Sequence, residues 1–287
     1  MILTWVCWWK ISWKKASGKQ LGWSWLQTNT SPFLFLIKRE INNIIILSMI
    51  SKDTLSKIKK LGLKIDHDIA FGGKSKGNKH LLRVVGIAKF LAEKTGADAS
   101  IVIAGASLHD TALPSGNDYN YLQNKRIVKK LLKPFNLSQN ELDEIAECVA
   151  SHEGTVNPKT LEAKIVHDAD VLEKVGLLGL IRHTWKMTNL KKIDYTLIQD
   201  KDVKKITDHI AWRSKRLQTP IAKKIAKYLA VPIHKEKAKI IVSLTANMAF
   251  RGIVTEKIAL ALRKRFSQKE YKKLREQLNL RYLLRFK

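Results

Sequence analysis

From residue 50 onward, apolar side chains recur every three or four positions, the period of helices that bury one face. The clearest case follows His80. Leu81, Val84, Val85, Ile87, Ala88, Leu91 and Ala92 predict a helix to about Thr95. Gly96 to Asp98 breaks the pattern, and Asp98 is placed to cap the next helix. That segment, from Ala99, is an apolar run of helix length closing on His109-Asp110. Upstream, Ser51 to Leu61 reads as a short basic helix with Gly62 placed to end it. Downstream, Leu122 to Phe135 is amphipathic. The capping box Ser138 to Glu141 starts a helix that runs to His152-Glu153. Thr160 to Gly176 and Leu177 to Trp185 continue the helical pattern.

The last hundred residues keep it. Helices are expected over Asp202 to Leu217, Ile221 to Leu229, Lys235 to Phe266 and Ser267 to Leu283, punctuated by Pro220 and Pro232. Ile240, Ile241, Leu244, Met248, Ile253, Ile258, Leu260 and Leu262 argue that this region packs. The fold class is therefore all-α, with an additional basic helical C-terminal region.

Charge divides what the apolar pattern joins. The 287 residues carry a net charge of +28, and residues 186–287 hold 27 basic against 8 acidic side chains. Residues 49–185, with 20 basic and 16 acidic, are nearly balanced. We therefore expect three parts: an atypical extension at 1–48, a catalytic domain at 49–187, and a basic helical region at 188–287. The basic excess suits a partner with negative charge, a nucleotide, nucleic acid or an anionic membrane surface, or else serves as a solubilising face. The extension holds six of the eight tryptophans, and neither of its apolar runs reaches the ~20 residues of a membrane helix. It reads as a membrane-interface anchor or, in the reading we favour, as no natural part of a protein that starts at Met49. Cys7 and Cys148 cannot make a disulfide framework, which points to a reducing, cytoplasmic setting.

The chemistry sits in the balanced section. His109-Asp110 puts a nitrogen and an oxygen ligand side by side where a helix ends, and borderline or hard divalent metals accept that mixture. His80 upstream, Asp170 downstream and His152 between them are candidate partners. Asp168 and Asp170 lie among apolar residues, where a carboxylate is costly unless paired or bound to a cation. Arg83 follows His80 by one helical turn and could face an anionic oxygen. Asp66-His67-Asp68 has no histidine between it and Met49, so His67 reads as a loop or capping residue. Gly72-Gly73-Lys74-Ser75 lacks P-loop spacing.

In order and context, His80-Leu-Leu-Arg-Val, Leu108-His-Asp, Ser151-His-Glu, Glu162 to Asp170 and Gly176 to Arg182 resemble the HD-domain superfamily of metal-dependent phosphohydrolases. They look most like a group of small uncharacterised prokaryotic HD hydrolases. The resemblance covers about His80 to Thr184. It implies an HD-type helical bundle and hydrolysis of a phosphate ester or anhydride, often in a nucleotide, by a metal-activated water. It further implies His80, His109, Asp110 and Asp170 as metal ligands and Asp110 as a catalytic group. His152 or Glu153 would protonate the leaving group. Arg83, Lys164 and Arg182 are its phosphate-binding candidates. Asp168 would orient a ligand. Mn, Fe, Ni, Co, Zn and Mg all suit the set. His167 departs from the pattern, since close relatives are expected to carry a neutral polar residue at that position. The competing reading is a nucleic-acid-binding protein whose bundle is structural or regulatory.

Overall fold

The computed structural model describes residues 50–287, and the expectations for 1–48 fall outside that range. Every regular element among the described residues is helical. The first, α1 (Lys52–Lys64), starts where the Ser51 side chain accepts from the Thr54 N–H. It runs through Gly62 rather than ending there. A Cβ on Gly62 would lie 1.9 Å from the Ser107 carbonyl oxygen, so this glycine lets two helix backbones touch. A wound turn (Ile65–Ile69) and a short loop lead to α2 (His80–Thr95). Asp98 caps α3 (Ala99–Leu108) by accepting from the Ser100 and Ile101 N–H groups. Next come α4 (Tyr121–Leu132), α5 (Gln139–Ser151), with its Ser138–Glu141 capping box formed, and α6 (Leu161–Glu173).

Helix α3 is the hub of this part. It packs against α1, α2, α5 and α6, and eight of its ten residues are buried. Gly105 on it sits against Cys148 of α5, where a Cβ would approach to 2.5 Å. A helix so enclosed must end on something other than water, and it ends on His109-Asp110.

The remaining helices are α7 (Gly176–Asn189), α8 (Asp200–Ser214), α9 (Pro220–Leu229), α10 (Lys235–Phe250), α11 (Thr255–Ala261) and α12 (Gln268–Leu278). The single helix expected from Lys235 to Phe266 is two. Gly252, with φ +79°, turns the chain between α10 and α11. Ile241, Ile258 and Leu262 are buried as expected, whereas Ile240 and Leu260 are exposed.

Two apolar clusters form the interior. One joins α1 to α6 with Ala222, Ile225 and Leu229 of α9 and with Tyr282 and Leu283 near the C-terminus. The other joins α7, α8, α10, α11 and α12 around Trp185. The boundary expected at 187 thus falls inside α7, and C-terminal residues complete the first cluster. Among the described residues, no helix is long and apolar enough to cross a membrane.

Candidate metal centre

Three helices bring four donor atoms together. His80 is the first residue of α2, His109 and Asp110 directly follow α3, and Asp170 projects from α6. His80 Nε2 lies 3.1 Å from His109 Nε2 and 3.3 Å from Asp110 Oδ2. It lies 3.6 Å from Asp170 Oδ1. His109 Nε2 is 3.3 Å from Asp110 Oδ2 and 3.7 Å from Asp170 Oδ1. Ligands held at about 2.0–2.2 Å from one divalent ion stand about 3.0–3.6 Å from each other, so His80, His109 and Asp110 are spaced for one ion, and Asp170 Oδ1 stands beside both imidazoles. The two histidines and Asp170 are fully buried.

The other ring nitrogens face acceptors. His109 Nδ1 donates to the Ala106 carbonyl at 2.8 Å, and His80 Nδ1 faces Glu173 Oε2 at 3.0 Å. That network assigns the protons to Nδ1 and leaves two Nε2 lone pairs 3.1 Å apart. Two lone pairs at that distance repel unless a cation or proton lies between them. Asp170 Oδ1 and Asp110 Oδ1 are also buried without a hydrogen-bond partner. With no ion bound, burial resists charging His109, yet Asp110 and Asp170 together raise it to about 9. Burial likewise opposes ionisation of Asp170, but Lys174, Arg213 and His109 hold it well below the usual carboxylate range.

Beside these donors lies a second set. Asp110, Asp118, His152 and Glu153 each place a ligand-type atom within 4.8 Å of the others. His152 Nδ1 donates to the Val149 carbonyl at 2.7 Å, so its Nε2 faces Asp118 Oδ1 (3.8 Å) and Asp110 Oδ1 (3.9 Å). Burial pushes His152 down to about 4 and Asp118 up to about 8. Lys186 Nζ stands between Asp118 Oδ2 (3.3 Å) and Glu153 Oε1 (3.4 Å). Arg213 of α8 donates to Glu153 Oε2, to the Glu153 and His152 carbonyls (2.7 and 3.1 Å), and to Asp170 Oδ2 (2.6 Å).

Several expected residues do other work. Burial favours the neutral form of Glu153, but Arg213 and Lys186 outweigh it and keep the carboxylate ionised, against its expected role as proton donor. Arg83 does not face a phosphate site. It donates to Glu173 (2.7 and 3.0 Å), to Glu256 and to the Asn78 carbonyl (3.0 Å), so it anchors the carboxylate behind His80. Arg182 is buried against the Trp185 ring at 5.3 Å. Lys164 lies six residues before Asp170, about 9 Å along α6 and about 120° around it. Asp168 does not orient a ligand. It accepts from the Gln218 and Thr219 N–H groups and the Thr219 hydroxyl, capping α9. His167 Nδ1 donates to the His152 carbonyl at 2.7 Å. Asp66 accepts from Ser75 at 2.7 Å, which leaves the Asp66–Asp68 pair structural.

Sequence reasoning missed Glu173, Asp118, Lys186 and Arg213. Glu173 was within reach, since it follows Asp170 by three residues and shares its helix face. Arg213 was not, because its lysine- and arginine-rich surroundings look like an exposed surface.

The HD domain family model matches residues 78–174, which include all four donors. This segment is an HD domain. The match supports a metal-dependent hydrolase in general, and His80, His109 and Asp110 are grouped as a metal ion would need. No curated protein matches the chain. Among solved structures, a Lactobacillus plantarum protein shares 21% identity at a TM-score of 0.49, over 63% of this chain and 92% of its own. Bacillus subtilis YpgQ shares 19% at 0.47, over 62% and 88%. A predicted HD superfamily hydrolase from an uncultured Thermotogales bacterium shares 18% at 0.40, over 66% and 90%.

Proposed function

We propose that the protein hydrolyses a phosphate ester or anhydride, with a nucleotide as the substrate class, at a centre held by His80, His109, Asp110 and Asp170. One observation carries the reading: two histidine Nε2 atoms and the carboxylates of Asp110 and Asp170 converge, with His109 Nδ1 and Asp170 Oδ2 already engaged elsewhere. A divalent cation there would supply Lewis acidity, acidifying water and polarising a phosphoryl oxygen. The chain's own residues supply the rest. Glu173 and the Ala106 carbonyl fix the two imidazoles with Nε2 inward. Lys174 and Arg213 engage Asp170 Oδ2, leaving Oδ1 for the centre. Asp110 is positioned to accept a hydrogen bond from the attacking water. His152 Nε2, whose Nδ1 is occupied, can take up a proton in the cleft, and Lys186 and Arg213 offset charge that develops on a phosphoryl group.

The experiment is a panel of nucleotides, cyclic nucleotides and simple phosphate esters, assayed with Mn, Fe, Ni, Co, Zn and Mg ions in turn. The His109→Ala/Asp110→Ala variant should lose metal and turnover together. Undiminished turnover by that metal-free variant would remove the assignment.

A second reading concerns the basic region. A cavity of about 490 Å³ is lined by Arg263, Lys272, Arg275 and Arg281 beside Phe266 and Tyr271, and by Glu276, which pairs with Arg285. No carboxylate of the described residues forms an ion pair with those four cations. Phosphate contacts there would give nucleic-acid binding that weakens steeply with salt, because counterions are released. Salt-independent binding would count against it.

A further inference from the structure

The second donor set, Asp110, Asp118, His152 and Glu153, has the composition of a site for another divalent ion. Asp110 Oδ1, Asp118 Oδ1 and His152 Nε2 are buried in it without hydrogen-bond partners. Two-metal centres keep their ions about 3.5–4 Å apart with a shared carboxylate, and Asp110 stands where such a bridge would be. The chain, however, brings its own cations to this set. Lys186 enters from α7, 6% exposed, with Nζ 3.3 Å from Asp118 and 3.4 Å from Glu153. Arg213 takes the other Glu153 oxygen. Asp118 and Glu153, two of the three carboxylates that would hold the second ion, already face an ammonium or a guanidinium, and a further divalent ion would meet that ammonium across a few ångströms of protein, where like charges repel strongly.

We propose that Lys186 is the second cation of the centre. It confines each chain to one divalent ion and offers its remaining N–H to a phosphoryl oxygen of the substrate. An ammonium has three donors, and the two carboxylates use two of them. The fixed cation suits a substrate that brings a phosphoryl group without a metal of its own. This inference rests on the four-donor reading of the metal centre.

The test counts metal. The purified full-length protein, equilibrated with Mn²⁺ and freed of loose ion by gel filtration, is analysed by elemental mass spectrometry. The wild type should hold one Mn²⁺ per chain, Lys186→Met two, and Lys186→Arg one. No bound metal in the wild type removes the metal-centre reading itself. Two per chain in the wild type overturn the present inference and leave that reading standing. A folded Lys186→Met protein that stays at one ion also overturns it. Should that substitution abolish folding, as judged by circular dichroism, Lys186→Gln takes its place and the wild-type count still decides. Inorganic phosphate, titrated calorimetrically into protein loaded with one equivalent of Mn²⁺, should bind at least ten-fold more weakly to Lys186→Met. Unchanged phosphate affinity overturns the phosphoryl contact.

Discussion

Glu173 never reaches the metal donors' common centre, yet it governs one of them. It faces His80 Nδ1 at 3.0 Å and is itself gripped by Arg83, so the imidazole is held in one orientation. Carboxylates behind metal-binding histidines typically contribute 10- to 100-fold in metal affinity. Glu173→Gln should weaken Mn²⁺ binding by that order, read by competition with a fluorescent chelator, while Arg83→Lys should show a smaller loss in the same direction. His167 makes a different prediction. Burial and Arg213 push it down to about 4, from an ordinary 6.5. The unfolded chain therefore takes up this proton at higher pH than the folded one. The fold keeps its full stability above about pH 6.5 and loses it as pH falls toward 4, by roughly 3 kcal/mol at most. Urea unfolding at pH 7 and pH 5 should show the loss, and His167→Gln should reduce the pH slope by about one proton. The ligand residues were legible because each stands at a helix end or among apolar neighbours, where an unpaired polar group is costly. Arg213 and Lys186 were illegible, since a cation among other cations carries no mark of burial in the sequence.

At the scale of elements, helices were read well where a side chain marks their ends. The Ser138–Glu141 capping box and the Asp98 cap form as the sequence implies. Glycines were read less well. The sequence context of Gly62 is that of a helix terminator, whereas its missing side chain allows α1 to cross α3 at the Ser107 carbonyl. Gly252 passed unnoticed inside a long apolar pattern, although it turns the chain between α10 and α11. Periodicity reports which face is apolar and says nothing of how closely another backbone approaches. Gly62→Ala should cost about 1–3 kcal/mol through overpacking, measured as a lower urea midpoint, with metal stoichiometry unchanged. An unaltered midpoint would show that α1 is free to back away from α3.

For the whole molecule, charge suggested a seam near residue 187 that packing does not follow. Surface charge is decided by side chains that face water, and the seam of a fold by those that do not. Here α9 fills the first apolar cluster and α8 carries Arg213 to Glu153 and Asp170. Breaking a buried ion pair by removing one partner typically costs 3–5 kcal/mol. A chain ending at residue 199 loses that arginine and all of α9 together. It should unfold without a cooperative transition and bind no Mn²⁺. Native-like metal affinity in the truncated chain would show that residues 50–199 are sufficient.

The four donors come from α2, the end of α3 and α6, so an ion bound among them ties together positions ninety residues apart in the chain. Only the folded chain offers that arrangement. At a free concentration one hundred times its dissociation constant, such an ion adds about 2.7 kcal/mol to stability. Metal supply would then bear on how long the folded protein survives. In a cell starved of the ion the unloaded chain would open more often and be more open to proteolysis. The pool of protein would rise and fall with the ion it uses, with no dedicated sensor needed.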